Sequence, residues 1–386
     1  MTSSMLPDRD SFDVAGTYLN AAHMHPITRR SAGAIRDYVD VRALNGRRDP
    51  AAMMDDRQQS KELFAKLINC SVEELAWIPS TMAGENFVVA ALGLTAAGSN
   101  GGARRVVTDA LHFEGSLYMY GELAARGLPV TVVEAKKHAI EIDDLAAAIV
   151  PGTRLVAVSL VSASNGFQHD LEAICKIAHE RGAMVYADII QAAGAVPIDV
   201  RATGVDFCAC ASYKWLMGDF GAGFLYVRAD RLRSLDRPQY GYRQLSSYIS
   251  HRFPHDTPGA SPVSWLQRSD AGGHFEVGTL GNAAVATLRH GLEFISSKGV
   301  EQIELHRQPL LALLHAELPR LGFEPLTKPD SRSPIVAFAY KDARSRLAGR
   351  LHDAGVNLQL YADRIRVSPS VYNDVDDIER LIAALR

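Results

Sequence analysis

The sequence is poor in the features that mark a membrane, nucleic-acid or disulfide-bonded protein. No apolar run approaches the roughly 18 residues needed to span a bilayer, and the opening MTSSMLPDRDSFD lacks an apolar signal core. A cytoplasmic location with no membrane partner is the default expectation. An excess of one charge is missing too. The 41 basic and 44 acidic residues leave a net charge of -3, and no basic stripe stands out to follow a phosphate backbone. No nucleic-acid partner is expected, and the dyads Arg29-Arg30 and Arg47-Arg48 read as solvated face. Cysteine is scarce. Cys70, Cys175, Cys208 and Cys210 show neither framework spacing nor a C-x-x-C, so no metal site is expected. Cys208 and Cys210 alternate with Ala209 inside an apolar run, as small hydrophobes on one strand face.

What remains is an ordinary globular composition, 47% apolar and 22% charged over 386 residues. That length holds two or three domains, or one large α/β domain with an appendage. The informative stretch runs from Ala183 to Arg228. There Asp188 ends a short apolar run, Gln191 follows a helical turn later, and Ser212-Tyr213-Lys214 ends a second run, Val205 to Ala211. In α/β sheets ligands sit at the carboxyl ends of strands, so an acid and a lysine at two strand ends converge on one small molecule. A lysine so placed suits Schiff-base chemistry, and an acid suits a pyridinium nitrogen. The bland reading is a surface lysine and a helix-capping aspartate.

Asp-x-x-Gln, then a strand, then Ser-Tyr-Lys-Trp and Gly-x-Gly-Phe-Leu-Tyr-Val, resembles the class V aminotransferase superfamily. That group includes cysteine desulfurases, selenocysteine lyases, isopenicillin N epimerase and kynureninases, all dependent on pyridoxal phosphate. The resemblance implies a fold type I protein: a three-layer αβα large domain with a mostly parallel sheet over residues 17–281, and a smaller C-terminal α/β domain over 282–386 together with 1–16. It implies pyridoxal 5'-phosphate as cofactor, Lys214 as the residue that carries it, Asp188 on the pyridine nitrogen and Gln191 on the ring hydroxyl. The resemblance also implies Ser212 and Tyr213 in the phosphate cup.

Further motifs extend the resemblance. Ser80-Thr81-Met82-Ala83-Gly84-Glu85-Asn86 opens an apolar helix, and free N–H groups there favour an anion. The family places its phosphate-binding Thr-Thr-Glu-Gly-x-Asn at this point, which implies Thr81, with Met82 offering only its N–H. Relatives stack an aromatic ring on the cofactor near Asp109 to Tyr118; the phrase Phe-x-x-x-Leu-Tyr favours Phe113, and His112 is the alternative. The apolar run Arg154 to Val161 reads as a strand covered on both faces. In strict register Ala163 stands where desulfurases carry an asparagine, so contact with the ring hydroxyl is lost or passes to Ser162, Ser164 or Asn165.

Phe275-Glu276-Val277-Gly278-Thr279 matches the family's Phe-Glu-x-Gly-Thr, which implies a homodimer with Thr279 reaching the neighbour's phosphate. Arg366, in Arg-x-Ser-x-x-x-Tyr-Asn, is implied on the substrate carboxylate, for which a planar guanidinium is well shaped; Arg364 reads as a strand charge facing solvent. His23, His25, Tyr240, Tyr242, His251 and Arg252 are weaker substrate-facing candidates. The stretch Tyr240 to Asp270 shows no clear period and reads as a long loop.

These parts imply chemistry on an amino acid through a carbanion at Cα. Desulfurases and selenocysteine lyases carry a nucleophilic cysteine shortly before the carboxylate arginine, and Ala343 to Arg366 contains none. The expectation is therefore an isopenicillin-N-epimerase-like enzyme or a C–S or C–X lyase, and not a persulfide-forming desulfurase. Transamination or kynureninase-like hydrolysis is the alternative. Epimerisation also requires a second proton donor, for which His112, Tyr118 or a loop tyrosine are candidates. A non-catalytic cofactor-binding protein is the reading from another class, and the joint presence of Lys214, Asp188 and Arg366 argues against it.

Overall fold

In the computed structural model residues 5–45, 50–95 and 104–386 are described; Arg47 and Arg48 lie outside them. The apolar runs assemble into a seven-stranded sheet. Its order is Leu75–Ile78, Gly223–Val227, Phe207–Ala211, Met184–Asp188, Thr153–Ser159, Arg105–Asp109 and Val130–Val133. The last five are mutually parallel, and only Gly223–Val227 runs against its neighbours. Central strands are buried along their whole length because both faces are covered. Period-two alternation then sorts their side chains. Val156, Val158, Val185, Cys208 and Cys210 enter one apolar core, whereas Leu155, Ala157, Tyr186, Phe207 and Ala209 enter a second on the opposite face. This is the αβα three-layer arrangement, with Cys208 and Cys210 on one strand face.

The crossover into Asp188 shows how locally the fold is written. Asp170 caps the helix Leu171–Glu180 by accepting from the N–H of Ala173, and Leu171, Ile174, Cys175 and Ala178 form its buried stripe. The helix stops at Arg181, and Gly182 takes a left-handed φ of 76° before the next strand.

Residues 324–367 build a second, four-stranded antiparallel sheet in the order Glu324–Pro325, Val336–Ala339, Arg364–Val367, Gln359–Leu360. Helices Val300–Glu317, Ala343–Asp353 and Val375–Leu385 share a separate core with it. The start of the chain joins this unit: Thr17–Tyr18 pairs with Val356–Asn357, and Asn20 bridges to Ser368. The boundary expected at residue 17 is thus crossed by sheet pairing. Helix Asn282–Lys298 packs on helices Arg29–Asn45 and Pro50–Ile68.

Residues Tyr240 to Asp270 depart from the expected loop. They hold an antiparallel hairpin, Leu245–Ser250 against Val263–Gln267. Tyr248, Ile249, Trp265 and Leu266 are all exposed on it, so neither face is buried in this chain. Burial on one face is what writes an alternating pattern, and here nothing imposes one. Among the described residues no helix is long and apolar enough to cross a membrane.

Candidate active site

Three adjacent parallel strands end side by side at Ser159, Asp188 and Ala211, with Ser159 opposite Asp188 in register and Asp188 opposite Ala209. Beyond these ends lies a cavity of about 220 Å³. Asp188, Lys214, Gln191 and Tyr213 line one part of it, and Ser80, Thr81, Met82 and Phe113 another. Larger hollows of about 480 Å³ beside Lys66 and Glu301, and about 360 Å³ beside His138 and Arg332, lack a buried lysine facing a buried acid. Chemistry, not size, marks the site.

Burial sets the electrostatics. Asp188 is 4% exposed, and loss of solvent pushes its carboxyl up to about 6; the N–H of Ile190 at 2.9 Å and the charges of His112 and Lys214 pull it back, while Glu85 opposes them. Lys214 is pushed down to about 8 by burial, with Asp188 opposing and Arg366 adding to the fall. A lysine so tuned is partly neutral near pH 8, the state a nucleophile or base requires. Arg366 is buried as well, and burial lowers its pKa. Its Nη1 donates to the carbonyl of Ala163 at 2.7 Å, whereas Nε has no partner among the described residues. A buried guanidinium with an unused donor is costly without an anion to meet it.

The opposite end is a helix N-terminus. Ser80 caps the helix Thr81–Ala91 by accepting from the N–H of Ala83, and the N–H of Gly84 donates to the carbonyl of Ser80. The preceding N–H groups of Thr81 and Met82 fall in the first turn, which lacks intrahelical acceptors. Thr81 Oγ1 accepts from the N–H of Ala211 at 2.9 Å, so its own hydrogen remains to donate. The helix lies this close to the sheet because of Gly84, where a Cβ would stand 2.7 Å from Ile78 Cδ1 and 2.9 Å from Ala209 Cβ. A phosphate fits this cradle by its donors and by the helix dipole. With a buried carboxylate for a ring nitrogen, a part-neutral lysine for an aldehyde and Phe113 as an apolar wall, the residues present suit pyridoxal phosphate.

Other expected residues are placed differently. His112 does not line the cavity; its Nδ1 lies 2.8 Å from Ser159 Oγ and its Nε2 3.0 Å from Glu85 Oε1. Of the two candidate rings, Phe113 faces the cavity. Gln191 lines it, but its Oε1 accepts from Trp215 and its Nε2 donates to Ala22, leaving one amide hydrogen for a ligand. Ser162 turns away to Ser164 at 2.9 Å, as strand alternation requires once Val161 and Ala163 face the cavity. Asn165 is spent on the carbonyls of His138 and Leu326.

Ser212 does not line the cavity either; its hydroxyl donates to the carbonyl of Asp219 and shapes the turn after the lysine. Tyr213 is fixed by stacking on Phe220, with centroids 4.4 Å apart. Thr279 is exposed and 3.1 Å from Tyr242 Oη, outside the Lys214 cavity of its own chain. Arg364 does not simply face solvent: its guanidinium lies over Tyr361, 4.0 Å from the ring centroid. His25 is buried between Pro26 and Ser370 and pushed down to about 4 by burial, a structural histidine. His251 holds the hairpin together through Thr257 and Ser264.

Two residues escaped the reading of the sequence. Ser159 lines the cavity, and Glu85 lies buried against His112. Ser159 had a signal: it is the polar residue of an apolar run, with the same parity as Val161 and Ala163. Glu85, inside an apolar helix, had none until its neighbours were known.

The chain matches the family described as aminotransferase class-V over residues 50–381. It is 27% identical to a probable cysteine desulfurase of Methanothermobacter thermautotrophicus, over 83% of this chain and 77% of that protein. It is 24% identical to the uncharacterized aminotransferase YcbU of Bacillus subtilis, over 98% and 95%. Among solved structures, the cysteine desulfurase CsdA of Escherichia coli superposes with a TM-score of 0.83 at 22% identity, covering 98% of this chain and 96% of that one. The cystine C-S lyase C-DES, solved with its reaction product cysteine persulfide, superposes with a TM-score of 0.81 at 21% identity, covering 96% and 97%. A C-DES variant was solved with glycine linked to its PLP cofactor. These likenesses overturn the exclusion of persulfide chemistry drawn from the sequence, and of the expected epimerase or C–S/C–X lyase they favour the C–S bond over epimerisation. The exclusion leaned on one loop cysteine, yet a persulfide also forms on a product thiol, as the C-DES complex illustrates.

Proposed function

The chain belongs to the aminotransferase class V family, and from that premise we propose that it is a pyridoxal-phosphate enzyme of the cysteine desulfurase kind, cleaving the Cβ–S bond of cysteine or its disulfide. The observation that carries the reading is the convergence of part-neutral Lys214 and buried Asp188 on one cavity, with the incompletely paired Arg366 beside Lys214. The sequence relative named as a probable cysteine desulfurase, and the structures of CsdA and C-DES, support the choice of bond. When bound, the cofactor supplies the electron sink that stabilises negative charge at Cα.

The chain's own residues do the rest. Arg366 forks onto the substrate carboxylate through a bidentate pair and fixes which bond at Cα lies open to attack. Once the substrate amine is bound, Lys214 would hold the Cα proton and return it; a pKa near 8 suits both roles near neutrality. Asp188 would hold the proton of the bound cofactor's ring nitrogen, and that cationic partner would favour its carboxylate form. Thr81, Met82 and the helix end would hold the phosphate, and Phe113 would cover part of the cofactor. Thr279 serves a second copy, reaching that copy's phosphate in a homodimer. Its exposed position outside its own cavity supports this reading.

Purified protein reconstituted with cofactor and given L-cysteine or L-cystine tests the reaction. From L-cystine, β-elimination should yield cysteine persulfide, read as thiocyanate after cyanolysis, in step with pyruvate and ammonia. From L-cysteine, with an added small thiol as acceptor because no cysteine among the described residues lines the cavity, persulfide on that thiol should form in step with alanine. Protein that binds the cofactor yet yields no sulfane sulfur from either substrate refutes the proposed reaction.

A further inference from the structure

Behind the cavity sits a buried polar cluster to which the chemistry above assigns nothing. Glu85, fully buried on the helix Thr81–Ala91, accepts from three side chains: Tyr120 Oη at 2.8 Å and His112 Nε2 at 3.0 Å on Oε1, and Ser116 Oγ at 2.5 Å on Oε2. Because Glu85 accepts, Nε2 of His112 carries a hydrogen. The other ring nitrogen, Nδ1, is 2.8 Å from Ser159 Oγ, and Ser159 lines the cavity beside Asp188.

This geometry leaves two arrangements. If His112 is neutral, Nδ1 is a lone pair, Ser159 spends its hydrogen on it, and the hydroxyl shows the cavity only acceptor character. If His112 is charged, Nδ1–H donates to Ser159, whose own hydrogen is then free to point into the cavity. Carboxylates face His112 from three elements. Glu85 comes from the helix Thr81–Ala91, Asp109 from the strand Arg105–Asp109, where it also holds His169, and Asp188 from Met184–Asp188. Ser116 and Tyr120, from the helix Glu114–Ala125, reach Glu85. Burial opposes charge on the imidazole, but the three acids outweigh it and raise its pKa.

We propose that Glu85 is a positioning residue that acts through His112 to keep Ser159 a hydrogen-bond donor into the Lys214 cavity. The inference rests on the reading that the cavity holds pyridoxal phosphate. The ligand chemistry that suits such a donor is an oxygen bearing negative charge, such as the deprotonated ring hydroxyl. Gln191 has one amide hydrogen left for that oxygen, so Ser159 would supply a second donor.

The test combines a mutant cycle with direct observation of the imidazole. Apoprotein affinity for pyridoxal phosphate, read by fluorescence quenching, should fall about tenfold in Glu85→Gln and about tenfold in Ser159→Ala, the worth of one hydrogen bond to a charged group. The double variant should bind no more weakly than Ser159→Ala alone. In ¹⁵N-histidine spectra of the apoprotein near neutral pH, the His112 signals, assigned with His112→Gln, should show both ring nitrogens protonated in wild type and one in Glu85→Gln. A full tenfold effect of Glu85→Gln in the Ser159→Ala background overturns the proposal, as does a neutral His112 in wild type. Should Glu85→Gln fail to fold, His112→Gln measured with and without Ser159→Ala carries the same cycle. Wild-type apoprotein that binds no pyridoxal phosphate refutes the reading of the cavity instead, and the His112 spectra then still decide the relay.

Discussion

Two buried acids stand on either side of Ser159, and they differ in how much of their hydrogen-bonding capacity the chain uses. Glu85 takes three side-chain donors and is internally complete. Asp188 takes one backbone N–H, faces a cavity and has its carboxyl pushed up to about 6. Arg366 resembles Asp188, with a buried Nε that meets no partner among the described residues. The contrast separates a positioning acid from a ligand-facing one without reference to any relative. Glu85, satisfied by the fold, can reach the cavity only through His112, whereas Asp188 in the cavity and Arg366 beside Lys214 keep capacity to meet a ligand directly.

The sharpest way to test this contrast is at Lys214. Replacing it with alanine should abolish the visible absorption of the attached cofactor and lower turnover by about a thousandfold or more, since both the nucleophile and the Cα base are lost. Arg366→Lys should come next, with kcat/KM down roughly 10–100-fold and most of the change in KM, because an ammonium cannot reproduce the fork on a carboxylate.

The pH profile is a third test. Lys214 is pushed down to about 8, so covalent attachment of the cofactor to apoprotein should slow about tenfold for each pH unit below that value and level off above it. A plateau reached only near pH 10 contradicts the assigned burial.

The smallest effects discriminate best. Glu85→Gln should lower apoprotein stability by about 1–3 kcal/mol in thermal or urea melts, because an amide cannot accept three donors as a carboxylate does. Asp188→Asn should leave apoprotein stability unchanged or raise it. The sign follows from linkage: the folded-state pKa lies above the ordinary 3.8, so the folded chain binds more protons between about 4 and 6 and wild type loses stability as pH rises through that window. Asparagine removes that loss. Equal destabilisation by the two substitutions breaks the comparison.

Legibility in the sequence followed burial. The strand ends at Asp188 and Ala211 and the capped helix Leu171–Glu180 were readable because two covered faces force continuous apolar runs and a half-covered helix forces a stripe. The hairpin at Leu245–Gln267 was not, because its faces are exposed in this chain and carry no alternation. At the site, Asp188, Lys214, Thr81 and Phe113 could be named from motif and strand end, and the structure brings them to one cavity. Ser162 and Ser212 carried the expected chemistry but fall on the wrong parity or in a turn, which spacing alone did not reveal. Glu85 was invisible for the opposite reason: its partners His112, Ser116 and Tyr120 lie 27, 31 and 35 residues away.

The central claim is that Lys214 carries pyridoxal phosphate in the cavity it shares with Asp188. Borohydride reduction of the reconstituted protein, followed by proteolysis and mass spectrometry, reads it directly. The phosphopyridoxyl adduct should sit on the peptide containing Lys214 and be absent from Lys214→Ala. An adduct on another lysine, or none with cofactor present, would contradict the account.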